Sequence, residues 1–413
     1  MSDPTAIPAT GRPVDDIMAE IDAERSDDLD WRGGKAFSLV YNAADPELDR
    51  LHHAVAGEYL HDNALNPFAY PTLLRMEREL VSMAAGLLGG RPRAGALTSG
   101  GTESIFCAVQ TARDVGRDRG VTAPNVLVPA TAHPAFSKAG HYLGVDVRRI
   151  EVGSDGRADL GATAEAIDDD TVLLVGSAPC YPYGLIDPIT DLAALAADND
   201  RFCHVDACLG GWLLPFWEEL GEPVPAWNLA VPGVTSLSAD IHKYGYTYKG
   251  ASVILYADRD VLERQHFIFD DWPGGLYASA TTAGTRPAPP IAGAWATLQH
   301  LGHDGLLDKA RVVRDATRAM LDGIAAIGDL HTVHEPEMSV ACFTSATRSI
   351  GAIGDVMDDR GWHLDRQQEG LHLMVSPGHA AHVDQFLTDL AAAFDNHGEA
   401  RDSMAAYSGT ADG

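Results

Sequence analysis

Lys243 and Lys249 stand out on chemical grounds. The 413-residue sequence has 30 basic residues, and apart from Lys35, Lys138, Lys243, Lys249 and Lys309 all of them are arginine. Lysine does what arginine cannot: it loses its proton and becomes a nucleophile. In TSLSADIHKYGYTYKGAS, residues 235–252, an apolar strand delivers Ser238, a short loop presents His242 and Lys243, and a second strand starts near Gly250. A lysine at a strand end can form an imine with an aldehyde cofactor. A surface loop carrying two cations is the other reading of the same residues.

Three further segments bear on that choice. HVDACLGG, 204–211, is an apolar run ending in Asp206. Pyridoxal phosphate needs such a carboxylate against its pyridine nitrogen, although Asp is also a good helix N-cap. TSGGTESIFCAVQTARD, 98–114, places paired glycines before Thr102 and a helix. The N-terminus of a helix offers donors and a favourable dipole to a phosphate, although the segment also reads as a capped helix start. The nucleotide P-loop is excluded, because no lysine follows the second glycine. TAHPAFSKAG, 131–140, puts His133 after an apolar run, where a flat imidazole could stack on a cofactor ring or serve structure alone. Cys203, His204, Asp206 and Cys208 include metal-ligand types, but alternation on a strand sends neighbours to opposite faces, and no metal site is expected. The chain order is phosphate cup, stacking histidine, strand-end carboxylate, then His-Lys.

The elements that must hold these residues follow from periodicity. Strands are expected at 126–129, 147–152, 172–177, 203–206, 236–239 and 252–256, alternating with helices at 102–115, 135–143, 160–166 and 192–197. Apolar runs without strict alternation indicate strands covered on both faces, so the chain reads as an α/β protein with a mainly parallel sheet. Ligands of such sheets bind beyond the carboxyl ends of the strands. Earlier helices are expected near 14–23, 47–61 and 73–88. A Gly/Pro-rich stretch at 272–290 is too long for a routine connection. Helices at 291–301 and 306–327 follow. Strands at 339–343 and 372–375 and a helix at 383–396 then suggest a smaller C-terminal α+β domain. The expected division is an N-terminal arm with helices (1–60), a large cofactor domain (61–295) and a small domain (296–413).

Composition sets the outer bounds. Hydrophobic residues make up 46% of the chain, ample for large cores. The formal net charge of −29 repels nucleic acid and anionic membranes. No stretch of 18 apolar residues occurs, and the N-terminus lacks a signal-peptide pattern. Stable membrane insertion is not expected, and the expected compartment is the cytoplasm. Five scattered cysteines suit reduced thiols.

From about Tyr41 to Tyr407 the sequence resembles the sphingosine-phosphate lyase branch of the group II pyridoxal-dependent decarboxylase family. HVDACLGG and SADIHKYGY (238–246) match that branch almost letter for letter. GGLYASATTAGTRP (274–287), GLIDPI (184–189) and GWHLDRQ (361–367) also fit. The resemblance implies an aspartate-aminotransferase-like fold (PLP fold type I) and a homodimer with shared active sites. It implies Lys243 as the imine lysine, Asp206 as the pyridine partner and His133 as the stacking residue. Gly101, Thr102 and His242 match cofactor-phosphate positions, and Thr285 matches a phosphate contact from the neighbouring subunit. Tyr41, Tyr181, Cys208 and Lys249 match positions around the substrate, with Lys249 suited to a substrate phosphate. The eukaryotic members' membrane anchor is not expected here.

Two departures concern the substrate. NPLHPD of the family reads NALNPF, which puts Asn66 where the family has an active-site histidine. Tyr248 stands where proline usually precedes the second lysine. Asn can donate a hydrogen bond but carries no proton at neutral pH. Two reactions therefore stay open on one cofactor. The first is retro-aldol cleavage of a phosphorylated long-chain amino alcohol, with Tyr181 or Lys243 as base; the second is decarboxylation of an amino acid. A catalytically silent binding protein with the same fold is a third reading.

Overall fold

The computed structural model describes residues 7–91, 94–396 and 398–401. The end of the resemblance at Tyr407 and the start of the expected arm at residues 1–6 lie outside them. A seven-stranded sheet forms the centre: β1 (Gly95–Thr98), β2 (Asn125–Pro129), β3 (Asp146–Ile150), β4 (Thr171–Ser177), β5 (Phe202–Asp206), β6 (Ser236–Ala239) and β7 (Ser252–Tyr256). Their order is β1-β7-β6-β5-β4-β2-β3. From β6 to β3 every neighbouring pair is parallel. β7 runs antiparallel to both β1 and β6, so those two share a direction.

The lack of polar alternation in these strands has a direct cause. Val126, Val128, Leu173 and Val175 pack into a core with Ile105 and Val109 of helix Gly101–Asp118. Leu127, Leu174 and Val205 point the other way, to Leu192 and Ala196 of helix Ile189–Asp198. Both faces are covered, so successive side chains are all apolar.

Two strands, β8 (Phe267–Phe269) and β9 (Tyr277–Ser279), form a separate antiparallel hairpin. Its second strand, β9, falls within the stretch 272–290 read from sequence as a long loop. Phe267, Ile268, Phe269, Trp272 and Leu276 are exposed on and beside it. A second, antiparallel sheet follows, with order β10-β11-β13-β12: β10 (Leu330–Thr332), β11 (Val340–Ser345), β12 (Asp365–Arg366) and β13 (Leu371–Met374). Its own core contains Met320, Phe343, Trp362 and Phe386, joined by Phe37 from the N-terminal segment. Phe37 N donates to His363 O at 3.0 Å, which stitches that segment to the second sheet.

The two helices expected at 291–301 and 306–327 lie within Ala288–Ala325 and are separated by a kink at Gly302. Gly302 has φ 59° and ψ −171°, a conformation glycine adopts without the cost a Cβ would impose. Strands β1, β8, β9, β10 and β12 and helices Leu214–Glu219, Arg259–Glu263 and Ile350–Asp359 were not expected from sequence. All but the last are short, and short elements leave few turns of periodicity to read. Among the described residues no helix is long and apolar enough to cross a membrane.

Candidate active site

Parallel pairing aligns Ser177 with Asp206 and Asp206 with Ser238. The ends of β4, β5 and β6 therefore lie side by side, and β1 and β2 end at the same edge. Beyond that edge lies a cavity of about 480 Å³, within the size range of small-molecule and cofactor sites. Gly101, Thr102, His133, Tyr181, Asp206, Cys208, His242, Lys243 and Lys249 all line it, with Tyr41 from the N-terminal segment.

At its floor Lys243 Nζ meets Asp240 Oδ2 at 2.9 Å. His242 Nε2 lies 3.6 Å from the same oxygen. Burial alone would raise the Asp240 carboxyl, but Lys243 and His242 outweigh it and bring it below the usual carboxylate range. His242 is pushed down to about 4, first by burial. Its Nδ1 accepts from Ala251 N at 3.1 Å, so the neutral ring carries its proton on Nε2.

Asp206 accepts from Cys208 N at 3.1 Å and from Ser238 Oγ at 3.4 Å, both on Oδ1. Behind it, His204 is fully buried between Ser236 Oγ (2.8 Å) and Ser238 Oγ (3.2 Å). His204 thus braces the strand ends, which accounts for it without a metal. His133 is lowered chiefly by burial, and its Nδ1 accepts from Ala135 N at 3.1 Å.

The cup at the start of helix Gly101–Asp118 is cramped by design of its neighbours. A Cβ on Gly101 would fall 2.5 Å from Cys208 Sγ and about 3 Å from both Asp240 carboxylate oxygens. Glu103 accepts from Ser99 N at 2.7 Å and from Thr282 N at 2.9 Å. Those bonds, outweighing burial, lower its carboxyl and tie the cup to the 279–283 turn.

Lys249 Nζ sits 4.9 Å from the centre of the Tyr41 ring, a cation–π distance. Burial and then the nearby Lys243 push its ammonium down to about 8. Tyr41 Oη donates to Met374 Sδ at 2.9 Å. Tyr181 Oη donates to Asp365 Oδ2 at 2.5 Å.

Three positions lie outside the Lys243 cavity of one chain. Asn66 is exposed and lines a different cavity, with Tyr70, Ile268 and Arg286. The backbone there is tied to the 286–287 segment, through Ala64 N to Arg286 O at 2.9 Å and an Asn63–Pro287 bridge. Within one chain Asn66 therefore does not reach Lys243. Thr285, expected to reach the cofactor phosphate of the neighbouring subunit, is exposed and lies outside the Lys243 cavity of its own chain. Tyr248 also points away from it: its hydroxyl donates to Pro289 O and its ring packs edge-on against His52, with centroids 5.2 Å apart. Conversely, Ser38, Glu103, Asp240 and Asp365 line the cavity and were not singled out. Asp240 was within reach of sequence reasoning, one helical turn before Lys243. Nothing local connects Asp365 to Tyr181.

The donor set fits pyridoxal phosphate. An amine, a strand-end carboxylate, a flat neutral imidazole and a glycine-lined helix start converge on one space, and Asp240 Oδ1 is buried there without a hydrogen-bond partner.

The chain matches the pyridoxal-dependent decarboxylase conserved domain over residues 29–346. It is 36% identical to a sphingosine-1-phosphate lyase of Arabidopsis thaliana over 394 residues, 93% of this chain and 72% of that protein. It is 37% identical to the solved structure of the Burkholderia pseudomallei sphingosine-1-phosphate lyase, with a TM-score of 0.90, covering 95% of this chain and 93% of the other. Glutamate decarboxylase of Lactobacillus brevis shares the fold at 19% identity and TM-score 0.84, covering 96% and 95%.

Proposed function

The chain belongs to the pyridoxal-dependent decarboxylase family, and on that premise we propose that it is a carbon–carbon lyase that cleaves sphingoid-base phosphates to a fatty aldehyde and phosphoethanolamine. It is a pyridoxal-phosphate-dependent lyase with the fold type I architecture. The observation that carries the substrate is the second lysine. Lys249 shares one cavity with Lys243, and an ammonium at the cavity mouth suits a dianionic phosphate on the substrate.

When bound, pyridoxal phosphate supplies an electron sink for the bond broken beside the amine-bearing carbon. Lys243 would hold its aldehyde, Asp206 its ring nitrogen, His133 its ring face, and Gly101, Thr102 and His242 its phosphate. Asp240 faces the Lys243 amine as counter-charge. Lys249 and Tyr41 hold the substrate's phosphate end, and Cys208 lines the same cavity beside Asp206 and Gly101. Tyr181 Oη takes the proton from the C3 hydroxyl, which frees that oxygen to become the aldehyde carbonyl.

We place the enzyme in the cytoplasm as a homodimer. A second copy would cover the exposed apolar hairpin and bring Thr285 and Asn66 to the cavity they do not reach within one chain. Phe68, 92% exposed two residues from Asn66, is an unusual side chain to leave in water.

The test is product analysis by mass spectrometry of cofactor-loaded protein incubated with a sphingoid-base phosphate. Fatty aldehyde and phosphoethanolamine, absent with Lys243→Ala, are expected. An intact substrate alongside carbon dioxide release from an amino acid would assign the decarboxylase reaction instead.

A further inference from the structure

The cavity holds a carboxylate that the reaction above leaves unused. Asp206 and Asp240 face the cofactor and Lys243, whereas Asp365 faces Tyr181. Its Oδ2 accepts from Tyr181 Oη at 2.5 Å and its Oδ1 from Ser38 Oγ at 2.8 Å. His363 Nε2 lies 3.6 Å from Oδ1. Ser38 belongs to the N-terminal segment, Tyr181 follows β4 of the large sheet, and Asp365 opens β12 of the second sheet. Three distant parts of the chain thus meet on one oxygen pair at the cavity wall.

We propose that Asp365 is the positioning residue and proton acceptor behind Tyr181, a role that rests on the reading of Tyr181 as the base. A phenol whose proton is committed to a carboxylate presents an accepting oxygen to other groups, and a hydrogen bond to an ionised acceptor is short and strong. The proton movement balances. The substrate O–H bond breaks and a new O–H bond forms on Tyr181 Oη, while the original Tyr181 proton passes to Asp365 Oδ2. The electron pair left on the substrate oxygen becomes the second bond of the aldehyde carbonyl as the C2–C3 bond breaks. The charge lost from Asp365 matches the proton gained, and Ser38 stays bonded to Oδ1 throughout.

Other groups around the pair do not compete for this role. The His372 ring lies against Tyr181, centroids 4.3 Å apart, and its Nε2 meets Tyr181 O at 2.9 Å, so that nitrogen is the donor. Burial keeps His372 neutral, pushed down to about 4. His363 touches the far oxygen of Asp365. Lys243, Lys249, His133, His242, Tyr41, Cys208, Glu103, Asp206 and Asp240 complete the titratable groups among the described residues lining the cavity.

The experiment compares wild type, Asp365→Asn, Asp365→Glu, Ser38→Ala and Tyr181→Phe. One arm needs no catalysis. The [13Cζ]tyrosine resonance of Tyr181, assigned by its absence in Tyr181→Phe, is titrated in each folded protein. Losing the carboxylate should move the Tyr181 titration to lower pH, because a neighbouring anion opposes tyrosinate. The second arm reads cleavage of a sphingoid-base phosphate. Asp365→Asn should lower kcat by about 100-fold with KM little changed and remove the acidic fall of the kcat–pH profile. Asp365→Glu should recover part of the rate, and Ser38→Ala should lose about 10-fold, the lower end of the scale for one hydrogen bond to a charged group. An unmoved Tyr181 titration, or a wild-type kcat–pH profile in Asp365→Asn, overturns the proposal. Failure of the wild type to cleave any sphingoid-base phosphate overturns the substrate reading instead, and the resonance still decides the pair.

Discussion

Lys249 is where substrate choice becomes measurable. Its ammonium is pushed down to about 8 by burial and by Lys243, so its charge is present below that pH and lost above it. Affinity for a phosphorylated substrate should therefore weaken as pH rises through about 8, seen as a rising KM with a smaller change in kcat. Lys249→Met should raise KM by about 10- to 100-fold, the loss of a charge-assisted contact of about 1.5–3 kcal/mol, and flatten that pH dependence. Steady-state kinetics from pH 7 to 9 check both. The residues legible in the sequence were those with a chemical reason to be rare or a strand end to sit on: Lys243, Lys249, Asp206, His133. Asp365 was not legible, because its meaning comes from Tyr181, 184 positions away, and no local pattern encodes that contact.

The elements explain why the cup tolerates so little. Helix Gly101–Asp118 begins against Cys208 and Asp240, with no room for a Cβ. Gly101→Ala should loosen cofactor binding by about 10-fold or more while leaving far-UV circular dichroism near wild type, since a Cβ at 2.5 Å from sulfur must shift its neighbours. Titration of apo-protein with pyridoxal phosphate, followed by absorbance, reads the change. The hairpin of β8 and β9 makes an independent prediction. If a second copy covers it, Ile268→Asp places a charge in an apolar contact, and sedimentation should show monomer with cleavage lost. An unchanged mass with full activity would put the interface elsewhere. The long apolar strands were readable from their runs, and helix Leu160–Ala166 matches its expected bounds. The hairpin was hidden by its glycines and prolines, which read as loop. The reach of Asn66 and Tyr248 was hidden because a substitution's neighbours are set by tertiary packing, not by its place in a motif.

On the scale of the whole molecule, charge and buried histidines pull stability in opposite directions as pH falls. The net charge of −29 is self-repelling, and protonating carboxylates would relieve it. His204, His372 and His379, away from the cup, are each pushed down to about 4 by burial. In the unfolded chain each binds a proton near pH 6.5. Between those values the unfolded state holds more protons, so stability is full above about 6.5 and erodes as pH falls towards 4. Each histidine contributes a slope of up to about 1.4 kcal/mol per pH unit in that window. Most carboxylates stay ionised down to about pH 5, so little repulsion is relieved where the histidines already act. The histidine effect should win from pH 6.5 to 5. Thermal melts should show Tm falling across that interval, with a shallower fall in His372→Gln. Added salt should raise Tm at pH 7.5 by screening the surface yet leave the acid slope in place, because groups this buried are poorly screened. A Tm that rises between pH 6.5 and 5, or a slope abolished by salt, would mean surface repulsion governs instead.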